Sequence, residues 1–170
     1  MCSCATATLR SVLLSDADGP NRLTIQVTGY QFPDAPELAK RFSWHMVGGE
    51  ARCGEGSWRF HWQALACDES PRVSAWLRSV ADAVARQGTL PGPLRFLEPN
   101  LEFRALAAYK GGVQFLVSFD LEFQPPWHQR HGAGEPFTWS FTMHEEHLRN
   151  AARQWDAERA PFPDRLTGQD

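Results

Sequence analysis

Pro93–Trp127, PLRFLEPNLEFRALAAYKGGVQFLVSFDLEFQPPW, carries two runs in which apolar and polar residues alternate. A period of two belongs to a β-strand with one buried face. Leu101, Phe103, Ala105, Ala107 and Tyr109 share one side of the first run. Val113, Phe115, Val117, Phe119, Leu121 and Phe123 share one side of the second. Gly111-Gly112 between them predicts a long antiparallel hairpin. Directly opposed residues point to the same face, so the register must match apolar with apolar. A closed Gly-Gly turn pairing Lys110 with Val113 would set Phe103 opposite Asp120 and bury a carboxylate. A three-residue loop, Lys110-Gly111-Gly112, instead pairs Tyr109 with Val113, Phe103 with Phe119 and Leu101 with Leu121. It also puts a glycine where the loop needs positive φ. This register sets Glu102 opposite Asp120 on the outer face, with Glu98 and Glu122 nearby and Arg104 to offset them.

Upstream, Leu9–Leu14 is a short apolar run closed by the turn signal Ser15-Asp16-Ala17-Asp18-Gly19-Pro20. Arg22–Phe32 alternates Leu23, Ile25 and Val27 against Thr24, Gln26 and Thr28. Phe42, Trp44 and Met46 open a third strand that continues through Gly48-Gly49 to Cys53, and Ser57–Leu65 places Trp58, Phe60 and Trp62 on one face. Asp68–Gln87 changes to helical spacing, with Val73, Trp76, Leu77, Val80 and Val84 in one stripe. Ser70 fits the N-cap, Pro71 the first helical position and Gly88 the C-cap. Leu94–Leu97 reads as a short strand leading into the hairpin. Downstream, Gln124–Pro136 reads as an exposed loop, and Phe137, Trp139, Phe141 and Met143 mark a last strand. Glu145–Arg159 is a second helix with Leu148, Ala151, Ala152 and Trp155 inward, stopped at Phe162-Pro163.

The sum is an α+β fold: a curved, mainly antiparallel β-sheet of about seven or eight strands with two amphipathic helices. A two-sheet sandwich with the helices at its ends is the alternative. The 170 residues suit a single domain, with 1–8 a frayed tail and 164–170 a C-terminal tail. A net charge of −3 argues against a general nucleic-acid or anionic-membrane binder, either of which needs clustered positive charge. All but two of the 17 basic residues are Arg, which GC-rich coding explains. No apolar run reaches membrane-span length, and the N-terminus, interrupted by Arg10, is a poor export signal. Cys2, Cys4, Cys53 and Cys67 lack the spacing of a disulfide framework, which points to reduced thiols in a cytoplasm.

Candidate chemistry is sparse. His144 and His147 are spaced to share a helical face, with Glu145 and Glu146 between them. A solvated first helical turn accounts for the group better than a metal site, which would need a third ligand. The same holds for His128 and His131 in their loop. Cys53 or Cys67 with His45 or His61 could form a nucleophile pair, although no local motif supports one. The Trp58, Phe60 and Trp62 face could stack sugars or bases, but alternation already assigns it to the core. The carboxylates Glu98, Glu102, Asp120 and Glu122 are the remaining surface feature. They form a solvated acidic face or a docking surface for a basic partner.

The run Leu23–Gly29 entering Tyr30-Gln31-Phe32-Pro33, Trp58-x-Phe60, the helix around Trp76-Leu77, Phe96-x-Glu98-Pro99-Asn100-Leu101-x-Phe103, and Trp155 with Phe162-Pro163 occur in a suggestive order. Together they resemble the WapI-like immunity proteins of bacteria. The resemblance implies a cytoplasmic, non-catalytic protein that binds and neutralises the toxic domain of its own strain's polymorphic toxin, commonly a nuclease. It implies no cofactor and no catalytic residues, and it leaves nucleic acid and membrane off the list of partners. The alternative is a small-ligand or carbohydrate-binding β module, which requires Trp58 and Trp62 exposed in a concave site. An enzyme would require at least two of His45, His61 and Cys67 in one pocket.

Overall fold

The computed structural model describes residues 11–17, 19–34, 43–109, 111–129 and 134–165. Phe42, Lys110, His131, the Cys2 and Cys4 pair, the expected tail at 1–8 and residues 166–170 of the expected tail at 164–170 lie outside the described residues. The fold is α+β, and the described residues form seven strands divided between two antiparallel sheets. The first sheet is a meander of β1 (Val12–Ser15), β2 (Arg22–Tyr30), β3 (Trp44–Cys53) and β4 (Gly56–Ala66). Helix α1 (Ser70–Arg86) leads to the second meander, β5 (Leu101–Tyr109), β6 (Gly112–Phe119) and β7 (Phe137–His144). A 3₁₀ turn (Leu121–Phe123) and a short helix α2 (Pro126–Gln129) connect β6 to β7, and α3 (Glu145–Arg159) follows.

The hairpin forms, but its register differs from the expected one. Leu101 pairs with Phe119, Phe103 with Val117 and Ala105 with Phe115, while Tyr109 closes on Gly112 around a two-residue turn. A bulge between Ala105 and Ala108 absorbs the extra residue. Ala105-Leu106-Ala107-Ala108 offers little contrast between its two faces, so an insertion there sacrifices little apolar burial. Leu106 and Ala107 are both exposed. Pairing ends at Phe119, because the Asp120 carboxylate accepts from the Leu121 amide at 2.8 Å and caps the 3₁₀ turn. Glu102 therefore faces Ser118, not Asp120.

The inner faces of the two sheets meet in one apolar cluster with Trp58 and Phe60 of β4 at the seam. The Trp58 ring stands edge-on to Phe119, Trp127, Phe137 and Trp139 at 5.1–5.6 Å, and its Nε1 donates to the Phe123 carbonyl at 2.9 Å. Phe60 lies 4.3 Å from Phe123 between ring centres. Its ring rests on bare backbone: a Cβ on Gly49 would come 2.6 Å from Phe60 Cζ and 2.2 Å from the Thr24 carbonyl oxygen. Trp127 packs into this seam from α2, so the segment after Gln124 is not the exposed loop its prolines suggest.

Helix α1 covers the rest of the second sheet, stacking Trp76 on Phe103 and edge-on to Phe115, with Trp76 Nε1 donating to the Gly92 carbonyl at 2.7 Å. Its caps differ from expectation. Glu69 holds the N-cap position without a side-chain cap bond, and Ser70 is buried inside the first turn. Gln87, not Gly88, takes the left-handed conformation at the C-terminus. Glu69 instead joins neighbouring segments, accepting from the amides of Ala66 at 3.1 Å and Leu97 at 3.0 Å. Those bonds hold residues 94–97 in place, with a single bridge from Leu94 to Phe103 where a short strand was expected. Helix α3 lies along α1, with Trp155 Nε1 donating to the Ser70 carbonyl and Asp156 receiving Ser74 and Arg78.

Candidate functional site

The acidic surface grows from the strand ends that the Asp120 cap brings together. Asp120 N donates to the Asn100 carbonyl at 3.0 Å, joining the start of β5 to the end of β6. Asn100 is fully buried and donates its side-chain amide to Glu122 at 2.9 Å, so Asp120 and Glu122 sit on either side of one pinned residue. Asp120 also accepts from the Gln124 side-chain Nε2 at 3.0 Å. Glu98 lies in the turn just before Asn100, half-buried.

Glu102 stands apart from these three in its chemistry. Arg95 reaches it at 2.8 Å, and Arg104 pairs with its other oxygen. Burial pushes the Glu102 carboxyl up, but the two guanidiniums outweigh it and hold the group below the usual carboxylate range. Arg95 was missing from the sequence-based picture. Its signal was there, since Leu94 and Phe96 point inward and leave the residue between them on the side of Glu102. Arg72 secures that segment by donating to the Arg95 carbonyl at 3.1 Å while pairing with Glu69 at 3.1 Å. Among the described residues, Glu98, Asp120 and Glu122 form no ion pair, so the unneutralised charge lies with them.

The other candidates separate. His144 precedes α3 as its N-cap residue, with its ring centre 6.1 Å from that of His147, and no group of three or more potential metal ligands occurs among the described residues. His128 hydrogen-bonds the Glu135 carbonyl at 3.0 Å. Cys53 and Cys67 are free thiols. His45 and Cys67 are both buried, whereas His61 is exposed and hydrogen-bonds Thr28 at 2.8 Å. Burial pushes the Cys67 thiol up to about 11, with Asp164 adding to the shift, and burial pushes His45 down to about 4. Both are neutral near pH 7, the opposite of an activated thiolate–imidazolium pair. Of the tryptophans that a sugar-binding face would need exposed, Trp58 is buried and Trp62 is 45% exposed.

A cleft of about 660 Å³ opens at the far end of the hairpin, between the end of α1 and the bulged part of β5. Val84, Leu90, Leu106, Ala107 and Gly112 are among its lining residues, and none of the described lining residues has a titratable side chain. No helix among the described residues is long and apolar enough to cross a membrane.

Compared with known families, residues 13–163 match the model described as the immunity protein WapI-like family. No curated protein and no solved structure matches the chain.

Proposed function

The chain belongs to the WapI-like immunity protein family, and from that premise we propose that it binds and neutralises the toxic domain of its own strain's polymorphic toxin. The family match over most of the chain is the observation that carries this reading. In it the protein acts in the cytoplasm without catalysis or cofactor, occupying the toxin rather than modifying it. The toxin is a nuclease, whose cleft is cationic because its substrate carries an anionic phosphodiester backbone. The protein's contact surface is centred on Glu98, Glu102, Asp120 and Glu122. Carboxylates held in place by Asn100 and the Asp120 cap can block such a cleft, and their field speeds encounter at low salt. Nucleic acid and membranes are not its partners.

Glu98 and Glu122 are the residues to change, Glu122 to glutamine so that buried Asn100 keeps an acceptor. A lysine at Glu102 would face Arg95 and Arg104 and disturb the fold, and Asp120 is needed as a cap. Glu98→Lys with Glu122→Gln should weaken binding to the toxic domain encoded beside the chain's gene by about tenfold or more and flatten its salt dependence. Calorimetric titration reads this, with circular dichroism as the folding control. Unchanged affinity in the double variant would sink the acidic contact surface and leave the immunity assignment standing. Failure of the wild type to bind that domain would sink both.

A further inference from the structure

We propose that Leu121 and Leu97 are the apolar anchors of the docking surface and that they seat in a partner protein whose contacting face is cationic. This rests on the immunity reading and specifies what the toxin must offer. Leu121 is 48% exposed and Leu97 76% exposed. Large apolar side chains at that exposure add little to the packing of their own fold, and interfaces place such residues at the centre of a polar rim.

The two leucines sit on segments that the fold pins tightly. Leu97 N is bound by Glu69 at 3.0 Å, and Leu121 N by Asp120 at 2.8 Å. The bond from Asp120 to Asn100 ties those segments together. The same few residues carry two unfavourable features. Leu121 holds a φ of 49°, the left-handed region that side-chain-bearing residues avoid. Asn100, fully buried, leaves its Oδ1 without a hydrogen-bond partner among the described residues. A glycine at 121 would remove the backbone strain, yet the chain keeps a leucine there and presents it to solvent.

The charge around the leucines selects the occupant. Glu98, Asp120 and Glu122 flank them without ion pairs among the described residues. A neutral or acidic partner would desolvate those carboxylates with nothing to offset the cost, whereas a rim of Lys and Arg supplies it. The fitting surface is therefore an apolar hollow ringed by basic groups.

The experiment uses the full chain and the toxic domain encoded beside its gene, with Leu121→Gly and Leu97→Ser as variants. Leu121→Gly should weaken binding at least about tenfold while its unfolding midpoint stays level or rises, and Leu97→Ser should weaken binding severalfold. A residue that only supports the fold would show the reverse, losing stability and keeping affinity. Wild-type affinity in both variants would overturn the anchor proposal and leave the immunity reading intact. A wild type that does not bind the domain would overturn the immunity reading and the anchors with it.

Discussion

Trp58→Ala lowers the unfolding free energy by about 3–5 kcal/mol, the loss typical of a buried tryptophan truncated in a core. Trp58 is 5% exposed and meets four aromatic rings from the second sheet and its connecting segment. The truncation also strips the Phe123 carbonyl of its donor, an added cost in a dry interior. Such a loss is a large share of the roughly 5–15 kcal/mol that stabilises an ordinary domain. Trp62→Ala, on the same strand but 45% exposed, supplies the contrast and should cost about 1 kcal/mol or less. Denaturant titration of both variants checks the pair. Equal midpoints for the two would show that β4 does not form the seam between the sheets.

Acidification through the range just below neutrality should destabilise the protein through His45. His45 is 1% exposed, and among the described residues neither ring nitrogen has a hydrogen-bond partner, although the Phe162 backbone lies near enough to favour the charged form. Burial dominates, and the charges of Arg159 and Arg165 add to it, so the pKa falls from 6.5 to about 4. A histidine depressed in the folded state contributes its stability above the unfolded pKa. That contribution fades as pH drops from 6.5 towards 4, by about 3 kcal/mol in all. Asp82, Glu102 and Asp156, whose pKa values also lie low, lose their contributions only below the carboxylate range of 3.8–4.5. Between pH 6.5 and 4.5 His45 is therefore the group that lowers stability, while Glu158, whose carboxyl burial pushes up, titrates there in the opposite sense. Denaturant midpoints measured across this range should fall in the wild type and stay level or rise in His45→Phe. Parallel slopes in the two proteins would contradict this.

The parts of the fold legible in the sequence are those with strong contrast between faces. Helix α3 runs over the expected Glu145–Arg159, because Leu148, Ala151, Ala152 and Trp155 mark one stripe against charged neighbours. β7 follows Phe137, Trp139, Phe141 and Met143 for the same reason. The register of the hairpin was hidden by its alanines, which tolerate a bulge at no visible cost to the pattern. Leu121 and Phe123 continue the period of β6 on paper. The Asp120 side chain instead satisfies the next amide and turns the chain, so Leu121 faces out while Phe123 stays in. Trp58 and Trp62 carry equal weight in the alternation and differ only in where their strand meets the second sheet. The acidic surface was legible as a list of residues but not as charge, since the pairing of Glu102 with Arg95 depends on a segment held by Glu69 and Arg72, far away in sequence.

The central claim is that the protein neutralises its toxin by occupying it, and stoichiometry tests that most directly. A fixed amount of the toxic domain encoded beside the chain's gene is assayed for activity on its substrate against increasing amounts of the protein. Tight binding predicts a linear fall to zero activity at about one equivalent, with an endpoint that does not move with incubation time. Activity abolished by a small fraction of an equivalent, with the endpoint drifting downward over time, would mean turnover rather than occupancy. Activity untouched in excess protein would contradict the account altogether.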